Sequence, residues 1–282
     1  MKYSIYELAT YGFDPLHAFW ERERTQRAVA GVLVACFIAA LIGIELGNRG
    51  WLPDFIALKT PDNHYHAIGI AFTLVLFLEV ISLIFVLPCS FSKSVGKQFE
   101  ILCLILMRNS FKELVNFPEP ITFTGDMTSI YKILSDGTGA FAVFVLLGIY
   151  YKIQRPGPSL KPTFKFRYVA SKKLVALLLL AIFTVLGIYN LICPLMGKHY
   201  FDFFSIFYTI LIFSDILLVL ISQRFLPSFH AVFRNSGFAL VTLLIRLALA
   251  APPFYNAALG VISAGFAVLL TLAYNTFYQN KS

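Results

Sequence analysis

Long uninterrupted runs of apolar residues dominate the chain, separated by short polar and basic stretches. Five runs are long enough to cross a bilayer: 28–46, 67–88, 174–196, 203–222 and 255–278. A helix needs about 20 mostly apolar residues to span a hydrocarbon core of roughly 30 Å. Three less clean runs, 98–115, 138–153 and 237–251, are expected to cross as well. Transmembrane β-barrels show alternating segments of about ten residues, and these continuous runs exclude one. The pattern therefore predicts an all-α, polytopic transmembrane helix bundle of about eight spans.

Composition agrees. Of 282 residues, 58% are hydrophobic and 13% charged, and mean hydropathy is +0.75. A soluble domain is roughly 45–50% apolar and about 25% charged. This chain lacks the polar residues to coat a soluble fold of its size.

Basic residues near helix ends set orientation, the inner side carrying the excess. With eight spans and the N-terminus inside, only Arg49, Lys59, Lys132 and Lys198 fall on the outer side. Arg108, Lys112 and Arg246 fall within helices, and the other sixteen of the 23 basic residues lie inside. The model without conflict has both termini cytoplasmic. The net charge of +8 is thus explained by orientation, and no nucleic-acid partner is implied. The expected partner is the lipid bilayer, with a second copy or other membrane subunits beside it. The expected location is a cell membrane, the cytoplasmic (inner) membrane in a bacterium.

The chain divides into four parts. Residues 1–27 form a cytoplasmic amphipathic segment, aromatic, polar and basic, without the short apolar core of a cleavable signal peptide. Asp14-Pro15 is expected to start a helix there, Asp as N-cap and Pro at the first helical position. Residues 28–153 form a first four-helix unit, 154–173 a basic cytoplasmic loop suited to anionic headgroups, and 174–282 a second four-helix unit. The cysteines Cys36, Cys89, Cys103 and Cys193 fall on different spans and read as small apolar fillers, with no disulfide framework.

The two units share an ordered series of features. His64-Tyr65 precedes one span and His199-Tyr200 another; Glu79 and Asp215 follow within those spans. Leu87-Pro88 and Leu226-Pro227 come next, then Arg108 and Arg246, then prolines at 118 and 120 and at 252 and 253. This order predicts a four-plus-four internal repeat. An even number of spans per unit makes it a parallel repeat, related by an axis along the membrane normal.

The charges inside the spans are the candidate chemistry. An ionisable residue at bilayer depth costs roughly 2.5–3.5 kcal/mol on insertion scales, so it pairs or faces a polar cavity. At 1.5 Å rise per residue, Glu79 and Arg108 lie roughly 12 and 15 Å from the inner face, and Asp215 and Arg246 roughly 12 and 14 Å. Each acid has an arginine at matching depth on the next helix. Two intramembrane charge pairs follow, Glu79–Arg108 and Asp215–Arg246, as static clamps or as the lining of an ion path.

A second candidate is an outer-face polar cluster of His64, His66, His199 and Asp202, residue types that suit a metal or a pH sensor. No histidine lies deep in facing spans, so haem is not expected, nor is any other cofactor. Thr122 to Asp126 carries a faint likeness to a potassium-channel filter but lacks its Gly-Tyr-Gly core; Asp126 more simply caps a short helix over 127–134. Each arginine-bearing span has a single arginine, which disfavours voltage sensing. Nucleotide, hydrolase and metalloprotease motifs are absent, so no enzyme is expected. The leading expectation is a channel or secondary transporter for a small ion or polar solute. The alternative is a non-transporting scaffold, sensor or assembly subunit.

Overall fold

The computed structural model describes residues 5–51, 53, 60–122, 127–155, 162–192 and 202–279. Among these, nine α-helices and no strands are found: α1 Ile5–Glu21, α2 Glu23–Asn48, α3 His66–Val86, α4 Phe91–Lys112, α5 Thr128–Ile153, α6 Pro162–Ile192, α7 Phe203–Phe225, α8 Phe229–Ala250 and α9 Tyr255–Gln279. Seven of them, α2, α3 and α5 to α9, are long and apolar enough to cross a membrane. Large apolar side chains point outward along these helices, among them Val185, Phe213, Leu220 and Leu269. In water that surface would aggregate; in lipid it is the solvated face. The chain is an integral, multi-pass membrane protein.

The apolar count reaches seven, not eight, because α4 is too polar. It starts at Phe91 rather than at 98 and carries Lys93, Lys97 and Glu100. Ser90 starts it, in extended backbone, its hydroxyl accepting from Lys93 N at 3.4 Å. What apolarity does not supply, packing does. α4 lies against α3, α5, α8 and α9, and half its residues are buried. α2 is the converse, strongly apolar and almost uncovered by protein.

Other boundaries also differ from the sequence reading. Pro15 lies inside α1 rather than at its start. An internal proline costs roughly 3 kcal/mol, offset here by burial of Ala9 and Phe13 and by Lys173 Nζ at 2.6 Å from Asp14 Oδ1. Arg22, extended at ψ 128°, separates α1 from α2. The short helix expected over 127–134 is the first part of α5, whose N-cap Met127 offers no side-chain bond; Asp126 lies outside the described residues. The last part of the expected basic loop is the start of α6. Cys89 is exposed and no filler, Cys103 is buried, and Cys193 lies outside the described residues.

Two apolar cores result. One joins α4, α5, α8 and α9 through Leu102, Val143, Val241 and Ala264. The other joins α1, α3, α6 and α7 through Phe13, Ile84, Leu179 and Phe207. Phe91 and Leu249 pack against both. α5 and α9 run parallel: Gly139, near the middle of α5, meets Ala257 at the start of α9, and further along both helices Asn275 Nδ2 donates to Ile153 O at 2.8 Å. Their approach depends on Gly139, where an added Cβ would stand 2.6 Å from Ala257 Cβ and 3.2 Å from its Cα. Gly260 packs on Leu102, Leu106 and Val143 with ordinary room, 3.4 to 3.5 Å.

Gly139→Ala is expected to destabilise the bundle by about 1–3 kcal/mol, the usual cost of overpacking. Adding Ala257→Gly recovers most of the loss. Retention of the monodisperse peak on fluorescence size exclusion after heating measures both; no recovery in the double variant would place the strain elsewhere.

Candidate functional site

Among the described residues, three places inside the bundle bring charged groups together. The first is between α3 and α4, where Arg108 Nη1 contacts Glu79 Oε2. Glu79 is buried and Arg108 nearly so. Arg108 also borders a cavity of about 60 Å³ with Gly69, Thr73, Asn109 and Lys112.

The second is between α7 and α8, where Arg246 Nε stands 3.8 Å from Asp215 Oδ2. This contact is long, and Arg246, 1% exposed, has no hydrogen-bond acceptor for any of its three nitrogens among the described residues. Its stabilisation is charge attraction through apolar surroundings, where a low dielectric strengthens it. Asp215 faces a void of about 10 Å³, room for one water, shared with Gln98, Thr242 and Lys172. Lys172 was read as an orientation charge in a loop; it is a buried α6 side chain, 1% exposed. Its Nζ donates to Cys89 O at 2.5 Å and lies 4.6 Å from the Phe91 ring centre.

The third place is a larger cavity of about 440 Å³ at the end of the bundle where α3 and α9 begin. His66, Asn109, Lys112, Glu113, Asp136 and Asn256 line it. It shares Gly69, Asn109 and Lys112 with the smaller cavity that borders Arg108. Asp136 and Asn256 were not singled out in the sequence. The local signal was weak, since Asp136 is flanked by Ser135, Gly137 and Thr138.

Of the expected outer-face cluster, His64, His66 and Asp202 fall among the described residues, each with its own surroundings. His66 opens α3 and lines the large cavity. Asp202 caps α7, its Oδ1 accepting from Ser205 N at 3.3 Å. His199 lies outside the described residues. His64 sits between two glutamates, with Nδ1 3.0 Å from Glu119 Oε2 and Nε2 3.2 Å from Glu45 Oε2. Its backbone N–H also donates to Glu119 at 3.0 Å, and Asn63 Nδ2 donates to Phe117 O. These bonds tie the start of α3 to the segment after α4. Among the described residues no group of three or more His, Cys, Asp or Glu is set to hold a metal ion.

The hydrogen bond to Glu119, helped by the charges of Glu119 and Glu45, raises the His64 pKa above 6.5. Glu119 is lowered below 4.5, chiefly by the His64 backbone N–H and then by its ring. No family model, curated protein or solved structure matches the chain.

Two outcomes are expected. The His64 contribution is complete below pH 6.5 and lost as pH rises through its raised pKa. The Glu119 contribution is present above pH 4.5 and lost as pH falls through its lowered pKa. The tie between α3 and the 113–122 segment is therefore firmest between these values. Histidine NMR should place the His64 midpoint above 6.5, with Glu119→Gln bringing it down; an unmoved midpoint would deny the coupling. For the second pair, Arg246→Met is expected to cost about 3–5 kcal/mol by stranding Asp215. Adding Asp215→Leu should recover most of it in denaturation from mixed micelles, whereas purely additive losses would mean no coupling.

Proposed function

We propose that this membrane protein is a channel or secondary carrier for a small ion or polar solute. The observation that supports this reading most is the polar cavity of about 440 Å³, whose lining continues into the cavity bordered by Arg108. A charged residue at membrane depth that borders a cavity is the usual mark of an ion or substrate path. The void beside Asp215 and Lys172 then lies toward the opposite face, and the two acid–arginine pairs stand between.

In this proposal the chain crosses eight times, α4 being the eighth span, with both termini inside and the large cavity outside. The membrane is the cytoplasmic one in a bacterium. The two units are a parallel four-plus-four repeat. Several observations support it. α4 and α8 are both 22 residues long, both follow a serine in extended backbone, and both begin with Phe. Arg108 and Arg246 stand at the same position in these helices. α4 packs against its counterpart α8 and α5 against α9, as contacts across a twofold axis do. The parallel course of α5 and α9 is what an even number of spans per unit requires. The symmetry is incomplete, since α6 packs on α3 without an equally extensive contact between α2 and α7.

A second reading, a non-transporting subunit that holds a second copy or other membrane proteins, is favoured by one observation. α3, α7 and α8 run without proline or break past their charges, whereas many carriers bind substrate at broken helices.

Purified protein in liposomes, tested for flux of protons, sodium, potassium, chloride and small polar solutes, decides between them. Flux is expected, and Arg108→Gln is expected to reduce it at least tenfold, as loss of a charged path residue should. Absence of flux for every species, with a membrane subunit co-purifying stably, would sink the transport reading.

A further inference from the structure

The large cavity holds one unanswered negative group and one unanswered positive group. Asp136 is 3% exposed. Asn256 stands beside it, yet Asp136 Oδ1 has no hydrogen-bond partner among the described residues. Lys112, on the facing helix α4, has no ion-pair partner among the described residues, though it lines both this cavity and the one bordered by Arg108. The remaining acid of the lining is already engaged. Glu113 has Lys132 Nζ at 3.5 Å and accepts from Asn116 Nδ2 at 2.8 Å. α4 and α5 meet beside the two free groups, with Ser110 Oγ donating to Ile133 O at 3.1 Å. The cavity lies within the roughly 300–1,000 Å³ of small-molecule sites. A buried carboxylate oxygen without a donor costs free energy unless a ligand or water meets it.

We propose that this cavity binds a small zwitterion, its ammonium group toward Asp136 and its carboxylate toward Lys112, with Asn109 and Asn116 donating to the carboxylate. A simple cation would leave Lys112 unmatched and add repulsion; a simple anion would do the same at Asp136. The proposal rests on the transport reading for its purpose and names the class of solute, but binding is measurable without flux.

The test is calorimetric titration of the protein in lipid nanodiscs with L-alanine and γ-aminobutyrate, a short and a long zwitterion, and with ethylammonium and propionate, each of which carries one charge. At least one zwitterion is expected to bind, with both single-charge compounds about tenfold weaker or worse, the loss of one charge-assisted contact. Asp136→Asn should abolish zwitterion binding. Lys112→Gln, at an exposed position where folding is not at stake, should weaken it about tenfold and leave ethylammonium unchanged. Failure of both zwitterions to bind, equal binding of ethylammonium, or full binding by Lys112→Gln would overturn the site. Zwitterion binding without any flux supports the site and removes the transport reading. Flux of an inorganic ion without zwitterion binding overturns the site and leaves transport standing.

Discussion

An ionised group cannot face lipid, and that constraint arranges the interior of this protein. The helices most exposed on the outside are nearly uniformly apolar, so the few charges within the spans must lie between helices. They gather where α4 and α8 meet their neighbours. Arg108 lies against Glu79 of α3, Arg246 against Asp215 of α7, and Lys172 of α6 is turned onto a backbone carbonyl and two aromatic rings. Breaking one such contact leaves a largely buried charge without its partner, which is why these sites hold neighbouring elements together.

α4 shows the same constraint from the other side. It is the least apolar of the long helices and the most enclosed. Its polarity is tolerable because four helices shield it, and its small or polar residues are spent on close contacts: Gly96 accepts the Tyr151 ring, Ser94 and Gln98 are buried together, and Ser110 binds α5. Two of the cavities open beside its last turn, where Asn109 and Lys112 line both.

The long apolar runs and the membrane class were legible in the sequence, because hydropathy over about 20 residues is a strong signal and lipid makes it nearly sufficient. Helix starts were not. α4, α5, α6 and α8 each begin 7 to 12 residues earlier than the apolar run, as comparison of 98, 138, 174 and 237 with Phe91, Thr128, Pro162 and Phe229 shows. Those first turns lie outside the apolar layer or inside the bundle, where hydropathy carries no information. Lys172 was misjudged for that reason. The charged residues at depth could be singled out from sequence because they interrupt a uniform background. Asp136 stands in a less apolar stretch, and only the fold brings it beside Asn256. The bracket of Glu45 and Glu119 around His64 joins residues far apart in the chain, and no local pattern announces it.

The enclosed position of α4 also bears on how the protein is made. A helix with this many charges has little tendency to leave the translocation machinery for lipid by itself. Its stability in the membrane depends on α5, with which it makes its most extensive contact, and on α8, which is synthesised more than a hundred residues later. In the eight-span arrangement proposed above, α4 does not insert independently: it waits in a sheltered environment, or crosses as a hairpin with α5, until the second half of the chain closes around it.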